Sequence, residues 1–286
     1  MELNVGEKSV NIKHVILTRF NLATPGREQA IRNQPGWLAE RFELFERYCL
    51  PSIAAQTNKN FHWIIFFDEQ TPVEFKERIE SLRKIQEFHP YYTGLFPADG
   101  WADAIRNVLG AQQAATLLLT TRLDNDDGLA RDYIDRLQRS AANIGETAKP
   151  VAFNFTRGFI LAQDRLYGHS HKSNAFASLL EPFDNNMRTV TTIPHMDLAN
   201  QVELHQIGGP GAWLQVIHET NVSNKVRGVR VSSREAEERF PESMSAGFKD
   251  IGATAALVEN ATLGLLRGAR DLLLDLRRAI KGSKPV

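Results

Sequence analysis

AATLLLTTRLDNDDG, residues 114–128, opens as the apolar run Ala114-Ala115-Thr116-Leu117-Leu118-Leu119 and turns polar at Thr120 and Thr121. It then passes through Arg122 and Leu123 and closes on Asp124-Asn125-Asp126-Asp127-Gly128. A short apolar run bounded by a turn signal predicts a strand buried on both faces. Carboxylates delivered at the C-terminal end of such a strand stand where open α/β sheets bind their ligands. Three acids this close together repel one another unless water or a cation neutralises them. Mg²⁺ and Mn²⁺ take one or two carboxylates and complete their shell with water and substrate phosphates. The stretch therefore predicts a metal–diphosphate site at a strand end. The plain alternative is an acidic surface turn, since the same residues are good turn formers. An EF-hand loop fits poorly, because Gly128 follows Asp124 too soon and position 135 is Asp, where that loop needs Glu.

The flanking chain alternates strand and helix patterns. His14–Asn21 reads as a first strand, and Trp37–Cys49 carries apolar residues at 38, 42, 45 and 49, a helical spacing continued through Pro51–Gln56. Phe61–Asp68 reads as a second strand ending on an acid, Thr71–Glu87 as a helix opened by Pro72, and Tyr91–Phe96 as a weaker strand. Trp101–Leu109 is a helix feeding the Leu117 strand, and Ala130–Ala142 is a helix after the acidic turn. This order predicts a mostly parallel sheet covered on both faces. From Val151 the pattern is less regular: a hairpin over Arg157–Leu166 turning at Gly158, then Phe176–Glu181, Thr189–Ile193 and a strand at Ala212–Ile217 ending in His218. Beyond Ser232 helical segments take over.

The bulk properties narrow the class. The chain has 286 residues, 42% of them hydrophobic and 24% charged, as in an ordinary globular protein with a sizeable core. Lys+Arg and Asp+Glu both number 34, so no charge excess points to nucleic acid. The single cysteine, Cys49, excludes an internal disulfide framework and reads as a buried thiol in a reducing compartment. Met1–Lys13 is polar, and no apolar run reaches the roughly 20 residues of a membrane span. These features predict a cytoplasmic protein.

Two matches meet at the acidic turn. Asp68 after the second strand, then GWADAIRN (100–107), then LLLTTRLDNDD (117–127), resembles the nucleotide-sugar half of GT-A glycosyltransferases. More narrowly, TRFN (18–21), LFERYCLPSIAAQT (44–57), FHWIIFFDEQTP (61–72), TRLDNDD (121–127), SLLEP (178–182) and WLQVIHETNVSN (213–224) resemble the bacterial putative rhamnosyltransferase family. The resemblance spans about residues 14–230 and leaves the C-terminal tail uncovered. It implies a GT-A-like α/β domain over 10–230, a helical C-terminal extension over 231–286, and metal-dependent, inverting transfer of a sugar from a nucleoside-diphosphate donor to a glycan or lipid-linked glycan acceptor. The setting it implies is bacterial surface-polysaccharide synthesis.

By position, Asp124 and Asp126 form the Asp-x-Asp pair expected to hold Mn²⁺ or Mg²⁺, and Asp127 is a candidate for an outer role or for the donor sugar. The resemblance makes His218 a third metal ligand. Asp68 and Arg19, at strand ends, are expected to face the nucleobase or ribose. Arg106 and Arg122 are expected to meet the donor, since guanidinium matches phosphate bidentately. An inverting reaction also needs a carboxylate on the acceptor side; Glu181 ranks first and Asp197 second. Trp101 and Trp213 can stack on sugars or fill the core, the commoner use.

Two competing functions stand beside the transferase. A nucleotidyltransferase that makes the sugar nucleotide would carry a Gly-rich phosphate loop with a Lys after the first strand, and TRFNLATPGRE is not one. A non-catalytic sugar- or Ca²⁺-binding protein would need no base. In the tail, Leu263–Ile280 is amphipathic with a basic end. It reads as a packing helix or as a surface helix resting on the inner leaflet over 263–281.

Overall fold

In the computed structural model, the residues described are 11–22, 31–32, 34–94, 101–110, 116–218 and 226–263. Thr116–Arg122 forms strand β4, buried along nearly its whole length. Period-two alternation sends Leu117 and Leu119 into one apolar cluster and Leu118 into another. Its neighbours follow the same rule. In β1 (Asn11–Arg19), Ile16 joins the first cluster while Val15 and Leu17 join the second. In β2 (His62–Asp68), Trp63, Ile65 and Phe67 face one side and Ile64 and Phe66 the other. Helices cover both faces, so these strands read as near-continuous apolar runs.

On the first face lies α1 (Trp37–Leu44), which runs through a π-helical turn, Phe45–Cys49, into α2 (Leu50–Ala54). Phe42, Phe45, Cys49 and Ile53 are the buried side of this element. α3 (Val73–Arg83) and, after the acidic loop, α5 (Tyr133–Ala142) complete that layer. The opposite face is covered by α4 (Ala102–Leu109) through Ala102, Ala104 and Ile105.

The main sheet has seven strands in the order β10-β6-β9-β4-β1-β2-β3, with β3 (His89–Thr93), β6 (Val151–Phe155), β9 (Ser178–Pro182) and β10 (Glu203–Ile207). β1 pairs in parallel with both β2 and β4, β2 with β3, and β6 with β10; β9 alone runs antiparallel to its neighbours. The fold is thus the expected GT-A-like α/β architecture with a mostly parallel central sheet. The chain moves outward from β1 through β2 to β3 and then returns to the other side of β1 as β4. That reversal is a topological switch point, and its crevice opens at the C-terminal ends of β1 and β4.

A second sheet, in the order β12-β8-β7-β11-β5, joins β5 (Gly128–Leu129), β7 (Arg157–Ala162), β8 (Arg165–Ser170), β11 (Trp213–Ile217) and β12 (Val229–Arg230). Here one expectation is corrected. The β7–β8 hairpin turns at Gln163 and Asp164, both with positive φ as a tight hairpin turn requires, and Gly158 lies within β7. Gly158 is glycine for another reason: a Cβ there would come within 2.1 Å of the Trp213 ring. Thr189–Ile193 holds a 3₁₀ turn at Val190–Thr192.

The C-terminal region begins with short helices, α6 (Arg234–Glu237) and α7 (Glu242–Ser245), whose Ala236 and Met244 bury with Phe240 against Tyr48, Phe159 and Leu166. A further helix occupies 253–263. Nearly all of the amphipathic 263–281 stretch lies outside the described residues.

Candidate active site

The acidic turn is held by its own less conspicuous members. Leu123 N–H donates to Leu17 O at 3.1 Å, carrying the β1–β4 pairing past the strand, and Asp127 N–H closes the turn on Asp124 O at 3.2 Å. Asn125 is buried and donates through Nδ2 to Phe20 O at 3.1 Å, tying the turn to the end of β1. Asp127 is buried and accepts from Val216 N–H at 2.8 Å, tying the turn to β11. Burial, then the charges of Asp126 and Asp124, push the Asp127 carboxyl well above the usual range. Asp127 is therefore a strut between the turn and β11.

This leaves Asp126 and Asp124 at the edge. Val216 sits two residues before His218, so the Asp127 strut also fixes the end of β11. His218 Nε2 lies 2.8 Å from Asp126 Oδ2. From the helix that follows β1, Arg41 Nη1 reaches the same Oδ2 at 2.8 Å and lies 3.4 Å from His218 Nε2 and 3.5 Å from Asn125 Oδ1. Burial raises the Asp126 pKa, but hydrogen bonds and charge from His218 and Arg41 outweigh it and hold the carboxyl below its ordinary value. Asp124 is more open and faces Arg122 Nη2 at 3.3 Å. The repulsion expected among three acids is thus relieved by two guanidiniums and one strut.

Arg41 was not among the residues the sequence singled out. Its sequence setting is an ordinary amphipathic helix, with Phe42 and Phe45 buried beside it and Trp37 four residues earlier, its ring 5.5 Å from the guanidinium. The π-helical turn immediately downstream is the only local irregularity in that helix, and such turns recur at functional sites. Its Tyr48 carbonyl packs 3.6 Å from where a Gly128 Cβ would stand, and Met244 Cε is 2.9 Å from that same point. A Cβ on Gly128 would therefore crowd the end of the Met244 side chain, while the helix would meet it at ordinary contact distance.

The other expected residues divide. Asp68 is buried at the end of β2, where its N–H donates to Asn21 Oδ1, its Oδ1 accepts from Gln70 N–H, and its Oδ2 pairs with Arg32. Arg19 closes β1, half-buried, beside Phe66 of β2. Both stand on the crevice edge, with Arg122. Arg106, on α4, pairs with Asp103 at 2.9 Å, one helical turn away. Trp101 stacks on Phe66 with centroids 3.9 Å apart and Trp213 on Phe176 at 5.1 Å, both buried, so both fill the core.

Glu181 is a correction. The antiparallel register sets it opposite Leu118, at the far end of β4 from the acidic turn. At about 3.3 Å per residue this is roughly 20 Å from Asp124 along the strand. Its carboxylate is buried and accepts from the N–H groups of Arg188 and Thr189, at 2.9 and 2.8 Å. Thr189 has φ 64°, a strained value for a β-branched residue, and Glu181 holds it there. Burial pushes the Glu181 carboxyl up, against the pull of those two amides.

Asp197 fares differently. Residues 171–177 lead into β9 opposite Thr121, with Arg122 N–H donating to Ala177 O at 3.2 Å. Ser173 Oγ bonds His195 O, so the 3₁₀ turn His195–Asp197 lies at the same sheet edge as the acidic turn. His195 is half-buried. Burial lowers its pKa, Arg122 lowers it further, and Asp124 works against both. His195 is a second residue the sequence did not single out; it belongs to a segment with no helical or strand periodicity.

Asp126 and His218 bring together a carboxylate and an imidazole, donor types acceptable to Mn²⁺ and, through the carboxylate, to Mg²⁺. Among the described residues no third such side chain gathers with them; this corrects the expectation for Asp124, which faces Arg122 instead. The pair fits a divalent ion whose shell is completed by phosphate oxygens and water.

The sequence profile described as "Putative rhamnosyl transferase" matches residues 13–230. The chain belongs to this family. No curated protein matches it. Among solved structures it is similar to TarS residues 1–349 of S. aureus in complex with UDP, at 10% identity and TM-score 0.40, covering 72% of this chain and 60% of that one. It is also similar to a "putative nucleotide-diphospho-sugar transferase" from Desulfovibrio desulfuricans G20 (10% identity, TM-score 0.36, 72% and 80% covered). A third is the inositol-1-phosphate CTP transferase of T. maritima (9%, TM-score 0.33, 71% and 89%). The chain thus spans about 60% of the first of these. The topology makes the crevice at the C-terminal ends of β1 and β4 the candidate active site of this family member.

Proposed function

We propose that this protein transfers a sugar, rhamnose by the family description, from a nucleoside-diphosphate donor to a hydroxyl of a glycan or lipid-linked glycan, by a single inverting displacement. The observation that carries this reading is the Asp126–His218 pair, 2.8 Å apart and flanked by Arg41, at the C-terminal ends of the strands beside the switch point. The setting proposed is bacterial surface-polysaccharide synthesis on the cytoplasmic side. No described helix is long and apolar enough to cross a membrane.

In this reading Arg19 and Asp68 line the nucleoside end of the crevice, and Arg122 and Asp124 its sugar end. A bound Mn²⁺ or Mg²⁺ would be held by Asp126 and His218 and would supply Lewis-acid neutralisation of the departing diphosphate. The His195–Asp197 turn faces the acceptor. The Asp197 carboxylate takes the proton of the attacking hydroxyl as the new bond to the anomeric carbon forms and the bond to the diphosphate breaks. His195, whose pKa burial lowers, stands beside Asp197 as the alternative base.

Incubation with UDP-, dTDP- and GDP-sugars in the presence of Mn²⁺ tests the class. Release of the free nucleoside diphosphate from one of them is the expected result. Pyrophosphate chemistry on a nucleoside triphosphate, or sugar binding without turnover, would replace the proposal with one of its two competitors.

A further inference from the structure

We propose that Arg41 is the resident cation of the donor site, competing with a divalent ion for Asp126 and turning to the donor's diphosphate when it is displaced. This rests on the donor-site reading above and adds to it the residue that moves. Among the described residues Arg41 reaches Asp126, His218 and Asn125 from a single atom, Nη1. The side chain is only 17% exposed. Its Nε is buried with no hydrogen-bond partner among the described residues. A guanidinium offers five donors in a plane, so most of this one's capacity is unspent inside a polar crevice.

The charge balance points the same way. The Asp126 carboxylate is already neutralised by Arg41, 2.8 Å away. A divalent ion coordinated by Asp126 and His218 would stand within a few ångströms of the guanidinium and be repelled by it. Arg41 therefore leaves Asp126 before Asp126 and His218 coordinate together. Once released, its fork matches two phosphate oxygens, which a lysine ammonium cannot do. The main-chain position that aims it is fixed by the π-helical turn and its contact with Gly128, so the exchange needs only side-chain rotation.

Calorimetric titration of Mn²⁺ alone into the full chain decides the matter. Arg41→Gln is expected to bind Mn²⁺ about tenfold more tightly than wild type, because the competing cation is gone. The same variant is expected to bind the nucleoside diphosphate released in turnover about tenfold more weakly. Arg41→Lys keeps the charge without the fork, so its Mn²⁺ affinity stays near wild type while its diphosphate affinity falls. Should Arg41→Gln fail to fold in a melting experiment, Arg41→Lys carries the test through that split. Mn²⁺ affinity in Arg41→Gln equal to or below wild type, or no Mn²⁺ binding by either protein, overturns the proposal. So does an Arg41→Lys that binds the diphosphate as wild type does. Wild-type protein that turns over no nucleotide sugar contradicts the donor-site reading instead, and the Mn²⁺ titration still rules on Arg41.

Discussion

β4 has a buried acid beside each of its ends, and the two are held in opposite ways. At the C-terminal end Asp126 is gripped by side chains, Arg41 and His218, whose charges hold its pKa down. Near the N-terminal end Glu181, on β9, is gripped by two backbone N–H groups, and burial leaves its pKa raised. Backbone donors are fixed by the fold and cannot be handed to a ligand. Side-chain cations can rotate away, so a carboxylate that they neutralise is available to a substrate or an ion. Glu181 buys a strained turn at Thr189; Asp126 holds a site ready.

The sharpest way to break this comparison is to neutralise both acids. Asp126→Asn is expected to lower turnover by about three orders of magnitude, the upper end of the range for losing a group that acts on the transition-state charge. It should also unfold somewhat earlier than wild type, because Arg41 loses its partner. Removing an acid from an acidic turn would relieve repulsion only if that acid were unpaired. Glu181→Gln should do the reverse: a stability loss of about 1–3 kcal/mol by chemical denaturation, from the amide it leaves unsatisfied, with turnover per folded molecule close to wild type. An active Asp126→Asn, or a stable and inactive Glu181→Gln, would exchange the roles assigned to the two carboxylates.

The next largest effect concerns the acceptor side. Asp197→Asn should reduce turnover by roughly two to four orders of magnitude with nucleoside-diphosphate affinity intact, the range of a lost general base. If His195→Gln does this and Asp197→Asn does not, the proton goes to the imidazole and the turn keeps its place in the account.

A smaller effect lies inside the sheet. His14 is buried, its Nε2 2.8 Å from Thr121 Oγ1 and its Nδ1 3.2 Å from Gln138 Nε2, and burial lowers its pKa to about 3. The unfolded chain protonates this imidazole near its ordinary 6.5 while the folded chain resists. The contribution is therefore fully present above about 6.5 and is lost as pH falls from there toward about 3. His14→Gln should flatten that part of the stability profile; an unchanged acid limb would place the sensitivity elsewhere.

The sequence was most readable where one period governs a whole element. β4, β2 and the covering helices follow from apolar patterning because each buries a continuous face, and the acidic turn stood out because charge ends an apolar run. Asp126 could be nominated because it lies in the acidic turn that follows β4, and His218 because the family resemblance puts a metal-binding histidine just past a late strand. What patterning could not convey was register. SLLEP reads as a strand ending in an acid, but only the antiparallel pairing of β9 with β4 shows at which end of the sheet that acid lies. Arg41 was hidden for a related reason: nothing in an amphipathic helix tells which of its arginines sits in the first turns, at the sheet's ligand-binding edge. Gly158 looked like a turn residue and proved to be the space under Trp213.

A crystal structure of the full chain with Mn²⁺ and the nucleoside diphosphate released in turnover tests the central claim most directly. The account predicts anomalous density within coordination distance of Asp126 and His218, the diphosphate at the C-terminal ends of β1 and β4, and Glu181 still bonded to Arg188 and Thr189. A diphosphate bound anywhere else, with Asp126 and His218 touching neither the ion nor the nucleotide, would contradict it.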